Sequence, residues 1–397
     1  PLAMSPVLAR VFSPEDFGLF AIFFALTSIL GVSVAGKYDI STLIPRNDTD
    51  AINLTILSLV FCFTGSLLLF ISIFLFYFFN TNNAFFTSSH YIWLVGLPLA
   101  VLFTGIFNTL SFINTRFENY FDIAQAKIYK SIALTISQTI FGIYSFGMYG
   151  LSLGLVISNL FANVKLAKNI FKNSFNKKDI SIKRMKELMV EYKVYPLYLN
   201  PASMLDIATL QMPLLFIIKI GGEIINGQFF FASRIISIPS ALIGKAISQV
   251  FFQRITSLKS KNEKCMPLFI KTMKTLILVA LPISILFYIL SPIIFEIIFG
   301  EVWAESGLIA QYLSVIFFIQ FTVSSVSNIL SLKDFVKRAT GWKILYFFSS
   351  VILYIATLSL NFDFYFFLKL YVIHEYFLYF IYMILIIKSV KEIDKEI

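Results

Sequence analysis

Apolar runs of about 20 residues, the length that crosses a bilayer as a helix, recur from one end of this chain to the other. They predict helices near 1–12, 17–41, 52–79, 90–118, 122–145, 148–171, 190–218, 226–256, 266–290, 306–331, 340–360 and 363–388. The breaks "FSPEDFG", "SFGMYG" and "NFD" are short, and no gap has room for a soluble domain. Of 397 residues, 58% are hydrophobic and only 14% charged. A soluble domain is about a quarter charged, so this chain carries more apolar surface than one globular core hides. The expected fold class is an all-α polytopic membrane protein of about twelve transmembrane helices. The first apolar stretch meets a turn after about a dozen residues, and is expected to be the outer half of a first helix truncated at its N-terminus. It has neither the basic start nor the small-residue cleavage site of a signal peptide.

The net charge of +10 reads as an orientation signal rather than as a nucleic-acid footprint, because of where the cations fall. If the loops at 42–51, 119–121, 172–189, 257–265 and 332–339 face the cytoplasm with the C-terminal tail, most Lys and Arg lie on that side, as the positive-inside rule requires. Arg10 and Lys219 are then the cations near the other side, where "SPIIFEIIFGEVWAES" carries three glutamates and no cation. The lysines of "KNSFNKKDISIKRMKE" read as solvated loop charges near anionic lipid. Cys62 and Cys265 lie in unrelated contexts and form no disulfide or metal-ligand pattern.

Six expected helices precede the basic linker at 172–189 and six follow it, giving an N-terminal lobe (1–171) and a C-terminal lobe (190–397). The halves share an order of features. "SPVLARVFSPEDFGLFAIF" runs proline, apolar turn, acidic loop, glycine, aromatic run, and "MPLLFIIKIGGEIINGQFFF" repeats it. Gly36-Lys37 follows Gly18 by 18 residues, and Gly244-Lys245 follows Gly227 by 17. An even number of helices per half gives both halves one orientation, so the expected architecture is two six-helix bundles in a parallel pseudo-two-fold repeat.

Ionisable residues inside spans are costly and tend to face a bundle interior or a wet cavity. In "FASRIISIPSALIGKAISQVFF", Arg234 and Lys245 are eleven residues apart, three helical turns with a small remainder, and are expected on one face unless Pro239 kinks the helix. Polar stripes recur at Asn108, Ser111, Thr115, Glu118 and Asp122, at Ser131, Thr135, Gln138 and Gly142, and at Ser203, Asp206 and Thr209. A shared water-filled cavity would explain them, and so would small polar residues that aid helix packing. Lys37 and Lys245 are also placed to snorkel to the cytoplasmic interface. Lys369 is a further intramembrane cation. Adjacent His374 and Glu375 point about 100° apart and fit a helix-pairing role or a proton relay. Prolines 98, 196, 201, 213, 239 and 282 lie in or near spans and permit kinks.

No P-loop, HExxH, GxSxG or Cys/His cluster is present, and His90 and His374 lie on different expected helices. No enzyme activity, metal or other cofactor is expected.

"SPVLARVFSPEDFGLFAIF" followed by "GKYDISTLIPRNDTDAINLTILSL" resembles the start of Wzx-type polysaccharide repeat-unit flippases of the MOP superfamily (multidrug, oligosaccharidyl-lipid and polysaccharide exporters). The family tends to show a Ser/Thr-Pro-Glu-Asp-Phe/Tyr-Gly turn after its first helix. A basic-Tyr-acid triplet and a proline end its second, here Lys37-Tyr38-Asp39 and Pro45. "YPLYLNPASMLD…QMPLLF" and "FASRIISIPSALIGKAISQVFFQR" resemble its seventh and eighth helices, and "IFGEVWAESG" its outer turn before the tenth. Lys37 stands where Arg is commoner, and Asp206 where a neutral polar residue is more usual.

The resemblance implies two six-helix bundles around a cavity that opens alternately to each side of a bacterial inner membrane. It implies flipping of an oligosaccharide repeat unit on undecaprenyl pyrophosphate, in O-antigen, lipopolysaccharide or related biosynthesis. The partners implied are the lipid-linked oligosaccharide, membrane lipids, a glycan polymerase and a chain-length regulator, and no nucleic acid. Arg234 and Lys245, with Arg10 and Lys37, would make the lumen cationic. Asp206, Glu118, Asp122 and Asp39 are the candidate lumen acids, with Na⁺ or H⁺ coupling through Asp206 or Glu118. The alternatives are a MATE-like drug/cation antiporter of the same superfamily, which would favour an acidic lumen, and a membrane glycan polymerase or ligase, which the short outer loops disfavour.

Overall fold

The computed structural model describes residues 4–79, 91–173 and 179–395, and these form helices and turns with no strand. His90 and part of the basic linker (174–178) lie outside the described residues. The α-helices are α1 (Ser5–Val11), α2 (Pro14–Ser33), α3 (Tyr38–Ser41), α4 (Asp48–Phe79), α5 (Tyr91–Arg116), α6 (Tyr120–Ile143), α7 (Gly147–Asn173), α8 (Ile182–Glu191), α9 (Asn200–Ile236), α10 (Lys245–Ser260), α11 (Met266–Phe299), α12 (Ala304–Ser324), α13 (Val336–Ser359) and α14 (Phe364–Lys395). Turns of π-helix cover Tyr195–Leu199 and Ser240–Gly244. Nine helical stretches among the described residues are long and apolar enough to cross a membrane. The expected twelve counts α1, α6 and the second arm of α9 in addition.

That second arm exists because α9 breaks at Gly222, whose backbone (φ 73°, ψ −171°) no helix contains and which a side chain would strain. The expected helix over 17–41 also ends early. Gly36 and Lys37 both take φ near +60°, which stops α2 at Ser33 and sets off the single turn α3. The 172–189 linker is not all loop. Ser181 accepts the Arg184 N–H and caps α8, whose Leu188, with Met185 and Tyr192 at helical spacing, packs onto Tyr38, Leu54 and Leu57.

The chain divides into two compact units, Pro1–Leu215 and Phe216–Ile397. The packing therefore groups residues 190–215 with the N-terminal helices, whereas the sequence expectation puts the start of the C-terminal lobe at 190.

In the first unit α2 packs on α5 and α7, α6 on α7, and α4 on α5 and α8. Phe17, Phe20 and Phe23 of α2 are fully buried. The "SPED" turn has a double task. Ser13 and Asp16 form a reciprocal capping box, with Ser13 Oγ accepting the Asp16 N–H (3.2 Å) and Asp16 Oδ2 accepting the Ser13 N–H (3.0 Å). The other oxygen of Asp16 accepts the Met148 N–H (3.1 Å) at the start of α7. One carboxylate thus satisfies orphan donors of two helices.

In the second unit α11 packs along α12, and α14 against α12 and α13. The α11–α12 contact is close because residue 307 is glycine; a Cβ there would lie 2.7 Å from Pro292 Cα. Phe231 meets Phe295, Phe299 and Trp303 edge-on or tilted. Large apolar side chains stand exposed along α4 (Phe63, Leu67, Leu68, Phe74, Phe78) and α11 (Leu278, Leu281, Ile285, Ile289). Such long apolar faces are stable against lipid, not water.

Candidate functional site

The cations named from the sequence fall two in each unit. In the first, Arg10 is exposed in the last turn of α1 and Lys37 is half-buried just beyond α2. The 20 residues of α2 separate them by about 30 Å at 1.5 Å per residue, so they belong to opposite ends of this unit. In the second, Arg234 sits on the second arm of α9. That arm is fixed at its start by buried Gln228. Its Nε2–H donates to the Val302 carbonyl (2.7 Å), and its Oε1 accepts the Ser306 N–H (3.0 Å) and the Ser306 hydroxyl. α12 has no side-chain cap of its own, so Gln228 caps it from another helix. Arg234 is half-buried, and no hydrogen bond or ion pair engages its guanidinium among the described residues.

Arg234 and Lys245 do not share a face as an unbroken helix would have it. The π turn over Ser240–Gly244 takes up one extra residue, which rotates the helix beyond it by about 100°. Lys245 is exposed, and the buried face there is Gly244 against Phe321 and Ser325.

The acids separate as clearly. Asp122, in the first turn of α6, pairs with Lys165 of α7 (3.1 Å). Glu118 is exposed on the α5–α6 turn at φ 58°, and Asp206 is half-buried on the first arm of α9. Asp39 is 2% exposed, and its Oδ1 has no hydrogen-bond partner among the described residues. Burial raises its carboxyl above the usual carboxylate range, against the opposing pull of Lys37 and of nearby backbone N–H groups. Next to it, Tyr38 donates to the Met189 carbonyl (2.9 Å). Arg116 bonds Asp48 (2.9 Å) and the Thr42 carbonyl (3.1 Å), and Arg184 bonds both oxygens of Asp50 (2.7 and 2.9 Å). These contacts tie the Lys37-Tyr38-Asp39 turn, α4 and α8 into one polar end of the unit.

Hydroxyls in two of the polar stripes bond within their own helices. Ser111, Thr115 and Thr135 donate to carbonyls of their own helices four residues back. Gln138 is buried and bonds the Leu151 carbonyl of α7 (3.0 Å). A Cβ on Gly142 would meet Val11 at 2.5 Å, so that stripe is the seam of α6 with α7 and α1.

The polar constellation that sequence reasoning left as a bare dipeptide centres on Glu375. It is fully buried on α14. The single hydroxyl proton of Tyr346 of α13 is shared between both carboxylate oxygens (2.8 Å each), and Gln320 of α12 donates to Oε2 (3.0 Å). His374 Nδ1 lies 3.6 Å from Oε1, and its Nε2 lies 3.0 Å from Ser349 Oγ. The acid amid an apolar span was the available signal; Tyr346 and Gln320 read as ordinary span residues.

The profile described as "Polysaccharide biosynthesis protein" matches residues 7–308, about three-quarters of the chain. The chain belongs to the polysaccharide biosynthesis protein family. No curated protein matches it. Among solved structures, an inward-facing multidrug resistance MATE family transporter of the MOP superfamily superposes with TM-score 0.74 at 14% identity, over 98% of this chain and 94% of that one. The lipid II flippase MurJ, in its inward closed conformation, gives 0.55 at 15% identity, over 96% and 95%. A MOP superfamily transporter from Pyrococcus furiosus, for which reverse polarity of the binding pocket suggests a different function, gives 0.52 at 13% over 98% and 88%. At these identities the likeness establishes the fold. This polysaccharide biosynthesis family member is a multi-pass membrane protein with the MOP-superfamily fold.

Proposed function

We propose that this protein is a flippase, not an enzyme, that moves undecaprenyl-pyrophosphate-linked oligosaccharide repeat units from the cytoplasmic to the outer leaflet of a bacterial inner membrane, with its C-terminus in the cytoplasm. The observation that carries the reading is Arg234. A guanidinium half-buried on an apolar helix, with no carboxylate paired to it among the described residues, fits an anionic ligand, and in a polysaccharide biosynthesis protein the suitable anion is the pyrophosphate of a lipid-linked sugar. A planar guanidinium meets phosphate oxygens two at a time. That a lipid II flippase shares the fold supports the class of cargo, and an uncompensated cation weighs against a drug/cation antiporter. Lys245, Lys37 and Arg10 would meet the charged head at other stages of its passage, as each unit offers one cation nearer a helix end. Moving a negative charge outward is favoured by about 2.3 kcal/mol per charge per 100 mV of inside-negative potential.

The test is made in the native bacterium. With the gene removed, a membrane-impermeant probe reports which leaflet holds the lipid-linked glycan. Single repeat units trapped on the inner leaflet, released by the wild-type gene, support the reading. Units that reach the outer leaflet but fail to polymerise overturn it in favour of a polymerase or ligase. Ion coupling through Asp206 is part of the proposal, and an unchanged rate in Asp206→Asn across pH and Na⁺ removes it.

A further inference from the structure

In the Glu375 cluster the one hydroxyl proton of Tyr346 is shared between the two carboxylate oxygens, and the His374 contact turns on where the ring carries its proton. Ser349 has a single hydroxyl proton, and it is given to the Tyr346 carbonyl (3.0 Å). With that proton on the carbonyl, its oxygen accepts from His374, and the ring tautomer that makes this contact carries its proton on Nε2 and leaves Nδ1 a bare lone pair. That nitrogen is buried with no hydrogen-bond partner among the described residues. The atom it faces, Glu375 Oε1 at 3.6 Å, is also a lone-pair bearer. In that tautomer two acceptors face each other, out of water, with no hydrogen between them. Leaving such groups unmatched is costly in a low-dielectric interior.

We infer that the His374–Glu375 pair, framed by Tyr346, Gln320 and Ser349, is a binding site for one proton in the second unit. A proton on either atom completes the contact, as imidazolium to carboxylate or as carboxylic acid to imidazole, and takes the pair from a net charge of −1 to zero. The donor set selects a proton over a metal cation. A hard cation needs several free oxygen lone pairs, whereas here Tyr346 and Gln320 aim hydrogens at the carboxylate.

The other groups around the acid leave it without a counter-charge. From α13 it faces Tyr346 and Tyr354, and on α14 Tyr371 and Tyr379; α12 offers the neutral Gln320. The 3₁₀ turn Ser327–Ser331, which also packs on α14, has no titratable residue. None of Lys271, Lys274, Tyr288 and Glu296 on α11 bonds to it or pairs with it. His374 is thus its one basic partner among the described residues. Because Glu375 is sealed by α12, α13 and α14, a proton enters or leaves only when those helices part, so occupancy and the shape of this unit are linked. The site is independent of the cargo proposed above.

The chain has two histidines, so full-length protein labelled with ¹⁵N-histidine in lipid nanodiscs gives two ring systems, and His90→Gln assigns them. Across a titration from about pH 8 to about pH 5, the inference expects Nδ1 of His374 bare at the alkaline end and protonated or hydrogen-bonded at the acid end. Glu375→Gln abolishes that change or moves it to at least about tenfold higher proton concentration. Ser349→Ala, which frees the tautomer, lets Nδ1–H appear at alkaline pH. An Nδ1–H tautomer in the wild type throughout, an unmoved transition in Glu375→Gln, or the same spectral change on exchanging K⁺ for Na⁺ at fixed pH overturns it. The wild-type tautomer needs no variant to fold, and neither result depends on flipping.

Discussion

Replacing Gln228 by leucine removes the cap that one helix supplies to another. Gln228 and Ser306 are 3% and 0% exposed, so nothing replaces the lost acceptor for the Ser306 N–H, whereas the Ser306 hydroxyl keeps the main-chain carbonyl of residue 228 (3.0 Å). The Val302 carbonyl also loses its donor, but Val302 is 65% exposed and water can take over there. One buried N–H left unmatched costs about 1–3 kcal/mol, and the hydroxyl, which keeps the residue-228 carbonyl, adds little. The expected loss is about 1–3 kcal/mol, in the range of a deleted N-cap. Reversible unfolding in mixed detergent micelles, in a double-mutant cycle with Ser306→Ala, measures it; the pair should couple by about 1–2 kcal/mol. Because the same cap anchors the arm carrying Arg234, flipping should fall with stability even at temperatures where the variant is folded. A Gln228→Leu protein within about 0.5 kcal/mol of wild type, the range of ordinary surface changes, refutes the reasoning.

Asp39→Asn should stabilise the protein at neutral pH. Burial raises this carboxyl, so its contribution is favourable below the usual carboxylate range and is lost as pH rises through the higher folded-state value; thermal unfolding at acid and neutral pH should show the gain only at neutral. Asp394→Ala should cost about 1–2 kcal/mol, since its two oxygens accept the Cys265 and Met266 N–H groups (2.6 and 3.0 Å) at the start of α11; hydrogen exchange should rise first at that end. Gly142→Leu should cost at least about 1–3 kcal/mol by overpacking, read as loss of folded protein in a thermal-shift series, because even a Cβ meets Val11 and Phe12. Cys62 and Cys265 are both buried, so a maleimide should label neither until the protein unfolds.

The spans were legible because a bilayer demands a fixed length of apolar helix. The "SPEDFG" turn was legible as a motif, and the structure supplies its physics in the two helices that Asp16 caps. The π turn before Lys245 was not legible. An extra residue in a helix leaves no mark in composition, and Pro239 warned only of a kink. The Ser and Thr stripes carried an ambiguity that sequence cannot resolve, since a hydroxyl that bonds its own helix and one that faces water have the same spacing. Glu375 was visible as an acid in an apolar run, but Tyr346 and Gln320 are 29 and 55 residues away, and no local pattern joins them.

Reconstitution tests the central claim most directly. Full-length protein is placed in vesicles whose lipid-linked oligosaccharide starts in both leaflets, and an impermeant reagent reports the accessible share. The account predicts that wild type brings all of it within reach, whereas protein-free vesicles keep about half protected. Arg234→Ala should slow the exchange roughly ten- to a hundredfold, the loss of one charge-assisted phosphate contact of about 1.5–3 kcal/mol. A protected half that persists with wild type contradicts the flippase reading, and an Arg234→Ala protein as fast as wild type contradicts the assignment of the anion to Arg234.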